Sequence, residues 1–251
     1  MQPGSRKDVG MTGIVDIHAH ILPGIDDGAR SMEEACQMLS MAARQGICKV
    51  IATPHEIHKG QVTYLQKLAA QLEEEVKKNY SEVKLYLGQE NFYHEDLSGQ
   101  LDCGEALTMA GSRYVLIEFA PGVSYREMYR AVRKLLNSGY WPILAHMERY
   151  SCLRNEENLD DLRAAGCLMQ MNYSGLSGPW FRTETRWRKR KVLTDKIDFL
   201  GTDMHRLDYR PPKIEKAVKW LEGCAGEGIV QKIMIENPHY ILNGEWTGRR
   251  K

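Results

Sequence analysis

The stretch VDIHAH at residues 15–20 has the pattern of a buried strand, and the loop residues Leu22-Pro23-Gly24 follow it. Alternate side chains of a strand point to the same face, so His18 and His20 are expected to lie side by side. Two neutral imidazoles on one face can hold a divalent metal ion at about 2.0–2.2 Å. A lone His-x-His is more often two polar residues at a strand end, so the rest of the chain must decide.

Length and composition favour one large α/β domain. The chain has 251 residues, and its 34 basic and 33 acidic side chains leave a net charge of +1, which indicates neither a nucleic acid nor a membrane surface as partner. Residues 1–13 lack the apolar core of a signal peptide and are predicted to be a flexible leader to a single domain over 14–251. The six cysteines form no C-x-x-C pair, which favours reduced thiols in the cytoplasm.

Strand and helix patterns alternate along the chain. Strands are predicted over 14–18, 49–53, 83–88, 113–117, 141–145, 167–171 and 197–201. Capping boxes at Ser31 with Glu34 and at Ser124 with Glu127 predict the starts of two of the intervening helices. Residues 91–110 have the least regular pattern and are predicted to form a hairpin or short turns. The strands are apolar without alternation, as in a parallel sheet covered on both faces.

Polar residues stand at or just past the end of every predicted strand. In chain order they are His18 and His20, His55, Glu90, Glu118, His146, Asn172, and Asp203 with His205. Caps and turns favour Ser, Thr, Asn and Asp rather than His and Glu, so turn chemistry alone does not explain this set. An open sheet would bring only a few strand ends together, whereas a barrel places all of them on one rim. The pattern therefore favours a closed or nearly closed barrel.

The candidate ligands are too many for a single ion. Five histidines and three carboxylates stand in the set, and Asp27 in the first loop is a possible fourth carboxylate. Eight or nine protein ligands suit a cluster of two or three ions. Nitrogen and oxygen donors without cysteine suit Mn, Fe or Zn. Such a cluster lowers the pKa of a bound water and provides a hydroxide nucleophile near neutral pH.

These residues also carry a family resemblance. The segments are DIHAHILPGIDDG (16–28), IATPH (51–55), GQE (88–90), IEF (117–119), AHMER (145–149) and TDMH (202–205). Together they resemble the PHP (polymerase and histidinol phosphatase) superfamily. Within it they resemble the bacterial manganese-dependent protein-tyrosine phosphatases of capsule and exopolysaccharide loci, of the CpsB/CapC/YwqE type. The likeness runs from about residue 14 to residue 243.

The resemblance implies a distorted (β/α)7 barrel of the PHP type, with three divalent metal ions, expected to be Mn²⁺ with Fe or Zn as alternatives, at the carboxyl ends of the strands. Position by position, it implies one ion held by His18, His20, Glu90 and Asp203. It implies a second that shares Glu90 and adds Glu118 and His146. It implies a third held by Asp27, His55 and His205. Arg149 and Arg210 match positions that bind the phosphate.

The chain departs from the family pattern at three positions. Met147 stands where Pro is common, Met204 where Ala is common, and Glu56 where a second His often follows His55. None of the three is a ligand position, so altered loop shape is expected rather than loss of metal.

The expected activity is hydrolysis of phosphotyrosine in proteins, with Arg149, Arg210, Asp27, His55 and His205 as catalytic residues. By resemblance, the partner would be the C-terminal tail of a bacterial tyrosine kinase that controls capsule or exopolysaccharide synthesis, met in the cytoplasm. No nucleic acid or membrane insertion is expected. A cysteine-based mechanism is excluded, because none of the six cysteines has Arg six positions on. The alternatives are a histidinol-phosphate phosphatase and, less favoured, a metal-dependent nuclease or amidohydrolase barrel.

The basic segment over residues 182–191 leaves two interpretations. It could attract an acidic phosphopeptide, or it could be the solvated face of a helix, and the second is favoured.

Overall fold

Parallel strands carry the architecture. The computed structural model describes residues 13–55, 60–79 and 83–247, so the predicted leader lies outside the described residues except for Gly13. Within these ranges the strands are β1 (Ile14–Ala19), β2 (Ile47–Ala52), β3 (Lys84–Leu87), β4 (Glu90–Phe92), β5 (Tyr114–Glu118), β6 (Trp141–Leu144), β7 (Leu168–Asn172) and β8 (Phe199–Gly201). They pair in the orders β1-β2-β3 and β4-β5-β6-β7-β8, and every pairing is parallel. The predicted α/β class with parallel strands is confirmed.

Helices connect most of the strands and cover their outer faces. They are α1 (Met32–Ala43), α2 (Val62–Asn79), α3 (Leu97–Cys103), α4 (Tyr125–Asn137), α5 (Glu156–Ala164), α6 (Tyr173–Leu176), α7 (Thr183–Leu193), α8 (Glu215–Cys224), α9 (Glu227–Gln231) and α10 (Asn237–Asn243). Within the described residues, no helix is both long and apolar enough to cross a membrane.

The two predicted helix starts are confirmed. The Ser124 side chain accepts from the Glu127 backbone N–H, and the Glu127 carboxylate accepts from the Ser124 N–H, so this capping box is complete. Ser31 likewise accepts from the Glu34 N–H. The Glu34 carboxylate accepts from the N–H of Arg30 instead, which leaves that box half formed.

The prediction for residues 91–110 is wrong over 97–103, where α3 forms. Leu97 and Leu101 lie one helical turn apart and are both buried, and the helix ends at Gly104, whose φ of 73° is left-handed. Two apolar positions are too few to establish a helical period in the sequence, which is why the helix was missed.

The third predicted strand forms as β3, and the chain then continues into a further short strand, β4, that was not predicted. β3 pairs with β2, whereas Glu90, expected to follow the end of the third strand, begins β4 and pairs with β5. Past β3 the chain still bonds to the β2 side, through the Gly88 N–H to the Ala52 carbonyl at 2.8 Å and the Glu90 N–H to the Pro54 carbonyl at 3.1 Å. A Cβ at Gly88 would lie 2.9 Å from the Met109 sulfur, so only glycine fits this crossing without a shift.

The strands bury side chains on both faces, which accounts for their unbroken apolar sequences. One apolar cluster takes strand residues from both sheets: Val15, Ile17, Ile51, Leu116, Ile143, Leu168 and Phe199. A larger cluster fills the space between the opposite faces and the helices.

The last strand returns to the first. The N–H of Asp203 bonds to the His18 carbonyl at 2.9 Å, and the N–H of His20 bonds to the Met204 carbonyl at 2.8 Å. The buried carboxylate of Asp16 accepts from the N–H of Thr202 at 2.9 Å and from its hydroxyl at 2.5 Å. These bonds hold the carboxyl ends of β1 and β8 next to each other.

Candidate metal centre

Glu90 lies at the centre of the predicted ligands. Its Oε2 is 3.1 Å from the Nε2 atoms of both His18 and His20 and 3.4 Å from Nδ1 of His55. Its Oε1 is 2.7 Å from Nε2 of His146. The side chain is buried, and the four histidines stand at the carboxyl ends of three strands, β1, β2 and β6. One carboxylate thus contacts groups from both sheets.

The other eight predicted ligands lie around this carboxylate. The ligand atoms fall into three groups, and those of each group lie within 4.8 Å of one another. The groups are His18, His20, Glu90 and Asp203; His20, Asp27, His55 and His205; and His55, Glu90 and Glu118. His146 joins the third group through contacts with Glu90 at 2.7 Å and Glu118 at 3.5 Å.

The ring orientation of His18 is set by a residue that the sequence interpretation missed. Gln170 Oε1 accepts from the backbone N–H of His146 at 2.7 Å, which identifies it as the amide oxygen. The same atom lies 3.1 Å from Nδ1 of His18, so Nδ1 carries the proton and donates. This leaves Nε2, on the side of Glu90 and Asp203, as the nitrogen that could bind a metal ion.

Hydrogen bonds at Nδ1 also fix the ring orientations of His20 and His205. Asp26 accepts from Nδ1 of His20 at 2.9 Å and also from the backbone N–H groups of Gly28 and His55. The Asp203 carbonyl accepts from Nδ1 of His205 at 2.8 Å. In both rings Nε2 is therefore the nitrogen that could bind a metal ion. A Cβ at Gly28 would lie 2.2 Å from the His20 carbonyl oxygen, so this turn requires glycine.

Asp203 has a different environment at each carboxylate oxygen. Oδ1 lies 3.6 Å from Nε2 of His18 and 3.5 Å from Nε2 of His20. Oδ2 contacts Arg149, lies 3.2 Å from Nη1 of Arg210, and accepts from the Asn172 amide at 2.8 Å. The two arginines expected to bind phosphate thus meet at Oδ2 of Asp203, and Nη1 of Arg210 also lies 3.4 Å from Nε2 of His205.

Several of these residues have a strained backbone. His146, Asp203 and Arg210 have φ values of 33°, 52° and 52°, in the left-handed region that non-glycine residues rarely adopt. Each costs on the order of 1–3 kcal/mol and persists only where surrounding contacts impose it, typically at a functional site.

Opposing charges dominate the electrostatics. Burial lowers the pKa of His20, but hydrogen bonds with Asp26 and Glu90 outweigh it and raise the pKa to about 10. For His146 burial also lowers the pKa, and Glu118 and Glu90 raise it to about 9. Burial raises the pKa of Glu90, yet contact with His18 and His146 holds it well below the usual value. The carboxylates therefore favour a positive charge at this place, from a proton or from a metal ion.

The residues present fit divalent metal ions. The donors are imidazole nitrogens and carboxylate oxygens, the rings of His18, His20 and His205 have their Nδ1 bonded elsewhere, and the six free cysteines take no part in the candidate ligand groups. Asp26, Gln170 and Asn172 hold ligands without joining those groups. The neighbouring acids in Asp26-Asp27-Gly28 were the one sequence feature that could have indicated Asp26.

Comparison with known proteins agrees with this geometry. The family described as "Capsular polysaccharide synthesis, CpsB/CapC" matches residues 14–243. The tyrosine-protein phosphatase CpsB of Streptococcus pneumoniae is 32% identical over 239 residues, which is 91% of this chain and 98% of that protein.

Solved structures agree as well. The structures of YwqE from Bacillus subtilis and CpsB from Streptococcus pneumoniae, described as unique metal-dependent tyrosine phosphatases, include a chain that superposes with a TM-score of 0.83 at 29% identity and covers 93% of this chain and 96% of that one. The phosphotriesterase homology protein of Escherichia coli shares the fold alone, with a TM-score of 0.55 at 14% identity, over 90% of this chain and 97% of that one. This chain belongs to the CpsB/CapC family of capsular polysaccharide synthesis proteins.

Proposed function

We propose that this protein is a metal-dependent phosphomonoesterase that removes phosphate from phosphotyrosine in proteins. The observation that carries the proposal is the convergence of eight nitrogen and oxygen ligands around Glu90, with Arg149 and Arg210 at Oδ2 of Asp203. The relatives named above are tyrosine-protein phosphatases, which supports the same activity for this chain.

The proposal includes a distorted (β/α)7 barrel. Its support is that β8 bonds to β1 at one seam, while the chain runs directly from β3 into β4 at the other. In this arrangement β3 and β4 count as one interrupted barrel strand.

The centre is proposed to hold three divalent ions, Mn²⁺ in preference to Fe or Zn. His18, His20, Glu90 and Asp203 would hold the first, and Glu90, Glu118 and His146 the second, with His55 at its edge. Asp27, His55 and His205 would hold the third. Glu90, which touches more of these side chains than any terminal ligand, would be shared by two ions.

When bound, the ions supply the positive charge that activates water as a nucleophile and offsets charge on the phosphoryl oxygens. Arg149 and Arg210 bind the phosphoryl oxygens through guanidinium groups, which match phosphate geometry. Asp27 has 61% of its side chain exposed and lies 3.7 Å from His55 and 3.5 Å from His205. These three residues mark the solvent side of the centre, where the departing tyrosinate can take up a proton from water. Burial and the nearby charge of His20 lower the pKa of His205 to about 4, so this residue serves as a ligand rather than as an acid.

The proposed substrate is the tyrosine-rich tail of a bacterial kinase that controls capsule or exopolysaccharide synthesis, encountered in the cytoplasm. Neither nucleic acid nor membrane insertion is part of the proposal. A long phosphotyrosine side chain can reach a recessed centre from a flexible tail, whereas phosphoserine is roughly half as long.

A substrate panel with Mn²⁺ tests the proposal. It contains phosphotyrosine peptides, phosphoserine peptides, histidinol phosphate and single-stranded DNA. We expect the highest kcat/KM with phosphotyrosine peptides, loss of activity with EDTA, and full activity after alkylation of the cysteines. Faster turnover of histidinol phosphate than of any phosphotyrosine peptide would overturn the proposal in favour of a histidinol-phosphate phosphatase. Cleavage of DNA would instead indicate a nuclease.

A further inference from the structure

A cavity of about 420 Å³ lies next to the metal centre, on the arginine side of Asp203. Its charged lining consists of Arg149, Asp203, Arg210, Lys213, Glu215 and Lys216. Oδ1 of Asp203 lies near His18 and Oδ2 contacts Arg149, so this carboxylate belongs both to the cavity lining and to the centre.

The charge of this cavity is positive. Four cationic side chains face two carboxylates, and Asp203 is already engaged by Arg149 and Arg210. The remaining charged residues of the lining are Glu215, Lys213 and Lys216, and both lysines are exposed. Among the described residues neither lysine makes an ion pair, so both are available to an anion.

The remaining walls suit a side chain rather than a bare ion. Met41 and Pro211 provide apolar surface, and Ser174 and Ser177 provide hydroxyl groups. A glutamate or aspartate has the matching parts, because its methylene groups pack on apolar surface and its carboxylate accepts from lysine and serine.

We propose that this cavity binds an acidic side chain that flanks the phosphotyrosine of the substrate, with Lys213 and Lys216 as the residues that select it. The inference rests on the proposed function, since it assumes that the phosphotyrosine occupies the adjacent centre. An extended peptide advances about 3.3 Å per residue, so side chains one or two positions from the phosphotyrosine can reach a cavity that shares Asp203 with the centre.

Paired peptides test the selection. Each pair has the same sequence around phosphotyrosine and differs by Glu or Gln at one of the positions −2, −1, +1 and +2. With the Mn²⁺-loaded protein we expect kcat/KM to be about 2–5-fold higher for Glu at one or more positions, as for a partly exposed ion pair. The preference should shrink as salt is added, because partly exposed charges are screened.

Variants locate the effect. In Lys213→Ala/Lys216→Ala the Glu-to-Gln ratio should fall to about one, while hydrolysis of the Gln peptide reports whether the protein is folded and loaded. Lys219→Ala is the matched control, because Lys219 is an exposed lysine of α8 outside the cavity lining, and it should keep the wild-type ratio.

The possible failures are distinguishable. A ratio of one at all four positions in the wild-type protein overturns the inference and leaves the phosphatase proposal standing. A double variant that keeps the wild-type ratio overturns the role of the two lysines. Failure to hydrolyse any phosphotyrosine peptide overturns the proposed function itself, and this inference with it.

Discussion

Gln170 shows how a single neutral side chain organises the ligands. It is fully buried on β7, which carries no predicted metal ligand, and its oxygen accepts from both His146 and His18. Its amide nitrogen donates to Asn172 at 2.8 Å, and Asn172 donates to Asp203. One pair of amides therefore positions ligands that follow or end three other strands.

Replacing Gln170 should weaken metal binding. In Gln170→Leu the His18 ring loses the acceptor that fixes its tautomer, so affinity for Mn²⁺ should fall about 10–100-fold. Gln170→Glu keeps an acceptor oxygen and should bind more tightly than the leucine variant. Calorimetric titration of metal-free protein measures both. Wild-type affinity in Gln170→Leu would contradict this role.

Arg149 and Arg210 should act on phosphate and not on metal. Arg149→Ala and Arg210→Ala should each lower kcat/KM on the order of 10–1000-fold, typical of one electrostatic donor. Arg149→Lys should also be impaired, because a point charge does not reproduce the guanidinium fork. Elemental analysis should find wild-type metal content in each variant.

Arg206→Ala is the control, since Arg206 lies in the same loop and its guanidinium faces Asp208 rather than Asp203. Loss of metal in either Arg149→Ala or Arg210→Ala would show that the arginines support the ligands instead.

Sequence indicates the ligands better than the residues that hold them. Histidine and glutamate are unusual at strand ends, so His146 and Glu118 are informative without any tertiary contact. Asp26, Gln170 and Asn172 are ordinary turn or strand residues, and their roles depend on neighbours far along the chain. No sequence pattern predicts the left-handed backbone conformation of Arg210.

At the scale of elements, helix α7 agrees only in part with the interpretation of residues 182–191 as the solvated face of a helix. Arg182, Arg186 and Arg190 are exposed, as a solvated face requires, but Lys191 is buried and pairs with Glu156 of α5. The sequence alone could not predict that Lys191 is buried, because lysine occurs on both the exposed and the packed face of a helix.

The pair between α7 and α5 gives a stability prediction. Glu156→Ala leaves the buried ammonium of Lys191 without its partner and should lower the free energy of unfolding by about 1–3 kcal/mol. Lys191→Met removes the charge and keeps the packing, so it should cost about 1 kcal/mol or less. Denaturant unfolding measures both.

The control for this pair is Glu157→Ala, which alters a neighbouring acid of the same first helical turn. If Glu156→Ala and Glu157→Ala prove equally stable, the contact between α5 and α7 contributes nothing beyond the helix dipole.

Boundaries marked by local chemistry were predictable from sequence, and those set by tertiary pairing were not. Ser124 with Glu127 defines a helix start within four residues. The chain between β3 and β4 bonds to carbonyls of Ala52 and Pro54, which are remote in sequence, and no local pattern at Gly88 could indicate it.

For the molecule as a whole, the stability of the metal-free protein should fall as the pH rises, and the stabilisation gained on binding metal should grow. In metal-free protein the pKa values of about 10 for His20 and 9 for His146 exceed the usual 6.5 of the unfolded chain. Folding then binds protons, so this stabilisation is fully present below pH 6.5 and is lost as the pH rises through 9–10. Metal binding needs the neutral rings and releases those protons.

Thermal unfolding at pH 6.5, 8 and 9.5 checks this. The Tm of EDTA-treated protein should fall across the series, and the gain in Tm on adding Mn²⁺ should grow. A flat gain would mean that these histidines do not bind the metal.

Asp203 couples two binding equilibria, because one of its oxygens lies near the candidate metal ligands and the other contacts two arginines. A cation near Oδ1 of Asp203 draws negative charge from Oδ2, which loosens the contact with Arg149 and Arg210 and frees them for an anion. Coupling between two sites is reciprocal, so a bound anion must raise the affinity for the cation by the same factor. Inorganic phosphate should therefore slow the loss of metal to a chelator, and the product of the reaction would protect the centre that formed it.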